Sequence, residues 1–357
     1  MNSINQICSI LQNKNLDAII ITSKENTSYI TGINDFEGTI FACDPEKVIC
    51  FTDSRYIEIA EIKSIERGFK ASTATGNNYP KEIAKLCKEY GINKVGFEDK
   101  CVSVYEYESL KKYIECDFVG VSDDLLKIRS VKTDWEVSNI QEAQNIAEKA
   151  FDIVLGELKP GMTEIECKAR LEYLMSLYGS EKTSFPTILI SGSKTSMPHG
   201  TPDSKVIQRG EFVTFDFGAV VNGYCSDMTR TVAVGYVNDE MKKVYDTVLL
   251  AQEEAVKAAK EGMTGAELDS VARGIIDKAG YGKYFGHSLG HGVGIEVHEE
   301  PRVSPKNNKR LETGNVITIE PGIYIPGVFG VRIEDMLYIK GNGNVNLTNY
   351  SKKLIIL

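Results

Sequence analysis

The four histidines of the chain are concentrated in its second half. They stand at positions 199, 287, 291 and 298, so that three of them fall within twelve residues. Glycines at 286, 290, 292 and 294 surround them, and glycine lets a backbone approach another group closely. The cluster predicts a site of binding or catalysis. The run GHGVG leads into IEVHEEP and does not open a helix, so a dinucleotide-binding loop is not indicated.

Two aspartates fall on a predicted β-hairpin in the segment FVTFDFGAVVNGYCSDMTRTVAV (212–234). Apolar and polar residues alternate along its first strand, which puts Asp216 on the polar face. Asn222-Gly223 is a strong signal for a two-residue loop. With that loop, position 216 opposes 229 and 218 opposes 227, so that Asp216 and Asp227 become diagonal neighbours about 7–8 Å apart at the backbone. Two such carboxylates repel each other without a cation; the alternative is a solvated hairpin with incidental acids.

A second pair of acids lies in NVITIEPGIYIPGVFGVRIEDMLYI (315–339). Glu320 stands in an apolar strand, and Glu334 is expected on the same face as Arg332 in a later strand. Acids in apolar strands are costly unless they are paired or bound to metal. Pro-Gly turns at 321–322 and 326–327 are expected to bring the strands together. A structural salt bridge from Arg332 is the alternative, but it offsets one acid and not four.

Together these residues predict metal-assisted hydrolysis. Four carboxylates and one imidazole balance two divalent cations per chain, and the carboxylate majority favours Mn²⁺, with Co²⁺, Zn²⁺ and Fe²⁺ as alternatives. Two such ions about 3.5–4 Å apart hold a bridging hydroxide as the nucleophile and polarise a carbonyl group.

The elements that position these residues form two domains. Residues 1–127 alternate short strands and helices, with apolar runs at 16–22 and 28–33, a hairpin at 38–53, a helix near 79–90 and a strand at 94–99. This pattern predicts an α/β domain. The polar stretch 123–134 marks the boundary, and residues 128–357 form the second domain.

The second domain contains an internal repeat. KPGMTEIEC (159–167) matches KEGMTGAEL (260–268) at an offset of 101 residues. Each copy follows a long amphipathic helix and opens another with a Thr-x-x-Glu capping box, and each second helix is expected to end at a glycine. Strand-like segments follow both copies: 184–191 with 212–220, and 291–297 with 315–325. The repeat predicts two αα-β halves related by a pseudo-twofold axis, with helices outside and sheets inside.

Composition narrows the class of protein. The 357 residues are 42% hydrophobic and 25% charged, which is typical of a globular protein. The net charge of −9 does not favour a nucleic-acid or anionic-membrane partner. Eight cysteines without a CxxC pair indicate reduced thiols. No run of about 18 apolar residues is present, so we expect a cytoplasmic protein.

The motifs FDFG, SDMTRT, GHGVGIEVHE, EPGIY and VRIED, in this order, resemble the pita-bread metallopeptidases of the creatinase and aminopeptidase superfamily. The first domain, with YITGI and TDSRY, is similar to the extra domain of aminopeptidase P and prolidase. The resemblance covers essentially the whole chain. It implies an α/β N-terminal domain and an α+β pita-bread catalytic domain, the fold that the repeat predicts independently.

The resemblance also implies roles for the site residues. Asp216 chelates one metal, His291 and Glu320 bind the other, and Asp227 and Glu334 bridge the two. His199 and His298 line the substrate site as catalytic groups, although seven residues separate His298 from His291, so a turn or bulge must intervene for both to reach it. Glu320 is also the expected proton shuttle. Arg332 secures either the ligands or the substrate, and His287 is either a substrate contact or a structural neighbour.

The activity implied is hydrolysis of the Xaa-Pro bond at the N-terminus of peptides, as by aminopeptidase P. The main alternative is an Xaa-Pro dipeptidase, or prolidase. A catalytically inactive binding module and a metal-free creatinase-type hydrolase are disfavoured by the complete ligand set. A methionine aminopeptidase is disfavoured by the long first domain and the VRIED motif. The family resemblance further implies a homodimer and a peptide substrate with proline at its second position.

Overall fold

The structure is a computed structural model that describes residues 3–74 and 78–357. The chain divides into two units, Met1–Arg129 and Ser130–Leu357.

The first unit contains a six-stranded mixed sheet with the strand order β4-β3-β2-β1-β5-β6. The predicted α/β class is therefore confirmed. Its elements in chain order are α1 (Ser3–Lys14), β1 (Ala18–Ile21), α2 (Lys24–Thr31), β2 (Thr39–Asp44), β3 (Lys47–Thr52), α3 (Ile57–Arg67), β4 (Lys70–Thr73), α4 (Tyr79–Tyr90), β5 (Lys94–Phe97), α5 (Val104–Tyr113), β6 (Asp117–Gly120) and α6 (Ser122–Ser130). The predicted hairpin is β2–β3, in which Asp44 pairs with Lys47 across the turn. The apolar run at 28–33 lies at the end of α2.

The polar stretch predicted to mark the domain boundary is partly helical. The expected boundary after residue 127 falls inside α6, whose first turn carries Asp123 and Asp124 and whose last turn carries Lys127 and Arg129. Acids at the start and bases at the end of a helix complement its dipole. The charged residues on which the predicted boundary rested therefore stabilise a helix.

The second unit carries the remaining elements. In chain order they are α7 (Asp134–Glu157), α8 (Glu164–Leu177), β7 (Ile188–Ser191), a 3₁₀ helix (Gly192–Ser196), β8 (Phe212–Phe217), β9 (Val220–Val221), β10 (Tyr224–Cys225), β11 (Met228–Ala233), α9 (Asp239–Ala258), α10 (Gly265–Lys278), a 3₁₀ helix (Gly282–Tyr284), β12 (Gly290–Gly292), β13 (Glu299–Val303), β14 (Val316–Ile319), β15 (Gly322–Ile325), β16 (Phe329–Arg332), β17 (Asp335–Lys340) and β18 (Gly343–Asn346). They form a three-stranded sheet, β11-β8-β7, a five-stranded sheet, β13-β12-β14-β17-β18, and two short hairpins, β9–β10 and β15–β16.

The internal repeat is structural as well as sequential. Helices α8 and α10 begin with complete capping boxes at Thr163 and Thr264. In the first copy, the N–H of Gly161 donates to the carbonyl of Ile207 at 3.0 Å. In the second copy, the N–H of Gly262 donates to the carbonyl of Leu311 at 2.8 Å. The prediction of two αα-β halves is confirmed.

Each helix pair covers its own sheet. Phe151 of α7 and Leu171 of α8 share a buried apolar cluster with Phe215 of β8. Val244 of α9 shares a second cluster with Ile317 of β14. The opposite face of the first sheet is polar, as the alternation along β8 predicts, and this face carries the candidate site.

One predicted strand is wrong in most of its length. The segment 291–297 is predicted to be a strand, but β12 ends at Gly292 and residues 294–298 form bends. A Cβ on Gly292 would stand 2.3 Å from the Glu300 carbonyl oxygen, and one on Gly294 would stand 2.4 Å from the Glu299 carboxylate. These close approaches require glycine and divert the chain from a regular strand.

Glu320 and Glu334 lie just outside strands, which corrects the prediction that strands carry them. Strand β14 ends at Ile319, because Pro321 has no N–H with which to continue the ladder. Glu334 follows β16 in a two-residue junction before β17. Pro326-Gly327 forms the β15–β16 turn as expected. Pro321-Gly322 is not a turn, because Gly322 is already the first residue of β15.

The cysteines offer a test of this packing. None of the eight, all of which lie in the described residues, forms a disulfide. Cys101 is exposed, whereas burial raises the pKa of the Cys50 and Cys225 thiols to about 12. We expect brief alkylation at about pH 8 to label Cys101 first and these two last, because the thiolate is the reactive form. Peptide mapping by mass spectrometry measures the order, and equally fast labelling of Cys50 would contradict the packing of β3.

Within residues 3–74 and 78–357, no helix combines the length and the apolar character needed to cross a bilayer.

Candidate metal centre

The hairpin that carries the two aspartates has the predicted register. Asn222 and Gly223 form its loop with φ angles of 49° and 78°, the left-handed values that a type I′ turn needs. Asp216 pairs with Thr229 across the strands, as expected from that loop. Asp227 directly precedes β11 and is 3% exposed. The hairpin therefore brings both acids to the same end of the sheet.

Three predicted ligands lie together in the interior. One side-chain atom from each of Asp227, His291 and Glu334 lies within 4.8 Å of the other two. Nε2 of His291 is 3.7 Å from Oδ2 of Asp227 and 3.3 Å from Oε1 of Glu320. Four separate segments of the second unit thus meet at one point.

The His291 ring is oriented by its own backbone. Its Nδ1 lies 3.0 Å from the carbonyl oxygen of Gly292. Because a carbonyl only accepts, Nδ1 is the nitrogen that carries the proton, and Nε2 directs its lone pair at the carboxylates. This is the arrangement usual for a metal-binding histidine. A proton or a cation must lie between Nε2 and the carboxylate oxygens, since opposed lone pairs at this distance repel.

Two of the buried acids, Asp227 and Glu334, resist ionisation, whereas Glu320 does not. Burial, followed by the charges of Glu334 and Asp216, raises the pKa of Asp227 well above its usual value. Burial, followed by the charges of Glu320 and Asp216, does the same to the pKa of Glu334. Burial also opposes ionisation of Glu320, but the hydrogen bond and charge of His291 outweigh it and hold the pKa of Glu320 at about 2. Added positive charge is therefore needed to ionise the whole group at neutral pH.

Buried carboxylate oxygens without a hydrogen-bond partner indicate whether these residues suit metal ions. Oδ1 of Asp216 and Oδ1 of Asp227 are buried and have no hydrogen-bond partner. Nearly all buried polar atoms have a partner, and a coordinated cation would supply it. The donor set of four carboxylates and one imidazole fits two divalent cations. Asp216 and Glu320 lie outside the compact group of three, so their part in binding metal stays a prediction.

Arg332 is buried beside this group, with 4% of its surface exposed, and its guanidinium forms hydrogen bonds with several neighbours. Its Nη2 donates to Oδ2 of Asp216 at 2.6 Å, and its Nη1 donates to the Tyr324 hydroxyl at 2.9 Å. Nη1 also lies 3.5 Å from the carbonyl oxygen of Pro198, the residue before His199. The salt bridge considered from the sequence is thus formed with Asp216. With its donors engaged in this way, Arg332 is suited to holding the ligands in place.

His287 is committed to neighbouring protein atoms. Its Nδ1 lies 2.8 Å from the Ser288 carbonyl oxygen, so this nitrogen donates. Its Nε2 accepts from the Tyr324 hydroxyl at 2.9 Å, and that hydroxyl in turn accepts from Arg332. Of the two interpretations left open by the sequence, this geometry favours the structural neighbour.

His199 and His298 keep more solvent-exposed surface than His287 and His291 do. The rings of His298 and His291 meet edge to face, with 4.3 Å between their centroids. The irregular segment 293–298 supplies the turn that this contact requires. Burial, followed by the positive charges of His291 and Arg302, lowers the pKa of His298 to about 4. His199 lies in the turn that follows the 3₁₀ helix Gly192–Ser196.

Three residues of this region were not identified from the sequence. Tyr324 links His287 to Arg332, and Thr229 donates to Oε2 of Glu334 at 2.6 Å. Arg302 lies on β13 with an exposed side chain close enough to His298 to affect its pKa. The register of the hairpin, which sets Thr229 opposite Asp216, was the one available signal for Thr229.

Two family models match the chain. The model of metallopeptidase family M24 matches residues 138–341, and the model of the creatinase/prolidase N-terminal domain matches residues 4–131. The protein belongs to metallopeptidase family M24 and carries a creatinase/prolidase N-terminal domain. The resemblance drawn from the motifs is therefore confirmed, and so is the pita-bread catalytic fold.

Individual relatives match over nearly their full length. The chain is 40% identical to an Xaa-Pro dipeptidase of Pyrococcus horikoshii, covering 99% of this chain and 98% of the relative. The solved structure of an Xaa-Pro dipeptidase from Bacillus anthracis has a TM-score of 0.94 at 40% identity, with 99% of both chains covered. The structure of an X-Pro aminopeptidase from Thermotoga maritima has a TM-score of 0.92 at 36% identity and covers both chains completely.

Proposed function

We propose that the protein is a two-metal peptidase that hydrolyses Xaa-Pro dipeptides. The observation that carries this proposal is the buried group of Asp227, His291 and Glu334, with ligand atoms within 4.8 Å of one another. Beside it, Asp216 and Asp227 each keep a buried oxygen without a hydrogen-bond partner. These features support the binding of divalent cations, and the names of the relatives support the substrate class.

The dipeptidase replaces the aminopeptidase as the main interpretation. Two relatives from Pyrococcus species, at 40% and 38% identity, are both named Xaa-Pro dipeptidase. These names support the alternative that the sequence analysis placed second. The aminopeptidase remains the second candidate because of the full-length match to the Thermotoga maritima protein.

The residues around the centre have complementary tasks in this proposal. Two divalent cations held by Asp216, Asp227, His291, Glu320 and Glu334 would supply Lewis-acid activation of the scissile carbonyl and of a nucleophilic water at neutral pH. Glu320 takes up the proton released in the attack and delivers it to the departing proline nitrogen. His298, neutral because of the low pKa of its imidazole, donates an N–H to the carbonyl oxygen as negative charge develops there. His199, on the neighbouring turn, assists in the same place, and Arg332 holds Asp216.

A dipeptidase must also recognise a free carboxylate next to proline. The Xaa-Pro bond has no N–H, so the protein has to rely on packing around the ring and on the ends of the substrate. Arg332 is occupied by Asp216 and Tyr324. Arg302 has an exposed side chain near His298, and a guanidinium binds carboxylates well. We therefore assign Arg302 to the carboxylate of the dipeptide.

Replacing Arg302 with methionine tests this assignment. A charge-assisted hydrogen bond contributes about 1.5–3 kcal/mol, so we expect KM for Ala-Pro to rise about 10- to 100-fold. Ala-Pro amide, which lacks the carboxylate, should show little change. Steady-state kinetics on both substrates measures the difference. The matched control is Lys309→Met, which removes an exposed cation paired with Glu300. An equal effect of Arg302→Met on both substrates would contradict the assignment.

The proposed function itself is tested by substrate length. Protein stripped with chelator and reloaded with Mn²⁺ is incubated separately with Ala-Pro and with Ala-Pro-Ala, and the products are separated by chromatography. We expect cleavage of the dipeptide, no significant cleavage of the tripeptide, and loss of activity on chelation. Release of alanine from the tripeptide would establish the aminopeptidase instead. Metal binding without cleavage of either peptide would favour the inactive binding module.

The proposal includes Mn²⁺ as the metal, a homodimer and a cytoplasmic location. The carboxylate-rich donor set supports Mn²⁺ over softer ions, and reduced cysteines suit the cytoplasm. Metal analysis of the purified protein and its mass in solution test the first two.

A further inference from the structure

We propose that Arg230 is a positioning residue for the metal centre, acting with residues 350–352 to hold the backbone that carries Glu334. This inference rests on the proposed metal-binding function. Arg230 touches none of the expected ligand side chains and was not singled out in the sequence. It is 2% exposed and is among the largest fully buried side chains of the described residues.

Every N–H of the Arg230 guanidinium is used. Nη1 donates to the carbonyl oxygen of Glu334 at 2.6 Å and to that of Thr229 at 2.9 Å. Nη2 donates to Oδ1 of Asp335 and to the carbonyl oxygen of Tyr350, both at 2.8 Å, and Nε donates to that of Ser351 at 3.0 Å. Five donors thus meet five acceptors. Four of these acceptors are backbone carbonyls, so the residue fixes the path of the chain as well as pairing with a charge.

Glu334 depends on these contacts for its position. It lies in the junction between β16 and β17 and outside both strands. Its N–H donates to the Thr229 carbonyl at 3.1 Å, and its carboxylate accepts from the Thr229 hydroxyl at 2.6 Å. Arg230 bonds the carbonyls of both residues and therefore locks Thr229 and Glu334 together. Asp227 stands two residues before Thr229. Two of the three grouped ligands, Asp227 and Glu334, therefore lie next to the backbone that Arg230 holds.

The segment 350–357 forms the other side of the arrangement. Ala233, at the end of β11, makes two backbone hydrogen bonds to this segment. Its N–H donates to the carbonyl of Ile355, and its carbonyl accepts from the N–H of Leu357, both at 2.9 Å. Lys352 reaches back to Oδ2 of Asp335 at 2.8 Å. Asp335 thereby accepts from two cations, Arg230 and Lys352, directly after Glu334. The segment thus braces β11 and the start of β17, the two strands that directly follow Asp227 and Glu334.

The geometry requires arginine and not merely a positive charge. Lysine has three donors on one nitrogen and cannot reproduce the planar fork. If Arg230 only neutralised Asp335, lysine would replace it. If it positions Glu334 through the carbonyls, lysine would fail. The conservative variant therefore separates the two roles.

The experiment compares Arg230→Lys and Arg230→Met with the unmodified chain. Residues that orient metal ligands without touching the metal change affinity about 10- to 100-fold when replaced. We expect both variants to bind Mn²⁺ about that much more weakly in calorimetric titrations. We also expect the visible absorption spectrum of the Co²⁺-loaded protein to change, because the ligand geometry changes. At saturating metal, kcat should fall more than KM rises.

Two controls separate positioning from loss of stability. Lys242→Met removes an exposed cation that pairs with Asp246 on α9 and leaves all five Arg230 bonds, so its Mn²⁺ affinity should stay within about threefold of the unmodified chain. Leu171→Ala removes a fully buried side chain from α8 and should lower the unfolding temperature with an unchanged Co²⁺ spectrum.

The outcomes are distinguishable. Failure of the unmodified protein to bind Mn²⁺ or Co²⁺ would overturn the proposed function. Normal binding by the unmodified protein, with an unchanged Co²⁺ spectrum and affinity in Arg230→Lys, would overturn this inference alone. If Arg230→Met does not fold, Arg230→Lys carries the test, since it keeps the charge and most of the volume.

Discussion

Replacing Glu334 with glutamine is expected to abolish hydrolysis while stabilising the metal-free protein. The amide is a poor ligand for hard cations, and loss of about 4 kcal/mol of transition-state stabilisation corresponds to a rate decrease of about a thousandfold. Without metal, the ionised carboxylate also destabilises the folded protein, because burial and the charges of Glu320 and Asp216 raise its pKa well above normal. The uncharged amide removes that cost.

The pH dependence of the metal-free protein's stability follows from the same raised pKa values. A carboxyl group whose pKa is raised on folding stabilises the folded state where it is protonated, and this contribution is lost as pH rises through the folded-state pKa. Asp227 and Glu334 both have raised pKa values. The metal-free protein should therefore lose stability from mildly acidic to neutral pH, and Glu334→Gln should weaken this trend.

Thermal unfolding with and without Mn²⁺ measures both effects. Metal at about a thousand times its Kd should stabilise the unmodified protein by about 4 kcal/mol, and the variant much less. The control is Glu312→Gln, an exposed glutamate of the same unit, which should behave like the unmodified protein. A metal-free Glu334→Gln protein that unfolds at a lower temperature than the metal-free parent would contradict the electrostatic explanation.

Replacing His298 with alanine is expected to lower kcat about 100- to 1,000-fold, the usual effect of removing one donor to a developing oxyanion. The imidazole has a pKa of about 4 because of burial and the nearby charges of His291 and Arg302, so it is neutral at physiological pH and retains an N–H to donate. Metal binding should be largely kept, since His298 is not an expected ligand and meets the ring of His291 edge to face.

Steady-state kinetics and metal titration of the same preparations separate these effects. His287→Ala is the comparison variant: both nitrogens of His287 bond to protein atoms, so its effect on kcat should be about tenfold smaller. A His298→Ala protein with normal kcat, or one that no longer binds metal, would contradict the proposed role.

The parts of the fold that were predictable have local causes. The register around Asp216 follows from the Asn222-Gly223 loop and from the alternation along β8, both of which act within a few residues. The repeated helices begin where Thr163 and Thr264 open capping boxes, and such a box is encoded in four residues. Acids in otherwise apolar segments pointed to the site, because each needs compensation wherever the chain goes.

The parts that were missed depend on contacts between distant segments. The break after β12 arises where Gly294 meets Glu299, and the apolar pattern of 291–297 alone indicated a strand. Arg230 acquires its role from carbonyls that lie more than a hundred residues away in the chain. In the sequence Tyr324 has no feature that distinguishes it from other aromatic residues of a strand. In the structure its hydroxyl lies between His287 and Arg332 and forms hydrogen bonds with both. No periodicity in the sequence encodes such contacts.

The most direct test is a titration of metal-free protein with Mn²⁺ in which bound metal and Ala-Pro hydrolysis are measured together. Two ions balance the four acids around His291, so hydrolysis should be absent without metal and should rise until two equivalents per chain are bound. Hydrolysis that persists in the metal-free protein, or its absence in folded protein carrying two equivalents, would contradict the assignment of Asp216, Asp227, His291, Glu320 and Glu334 as a two-metal peptidase centre.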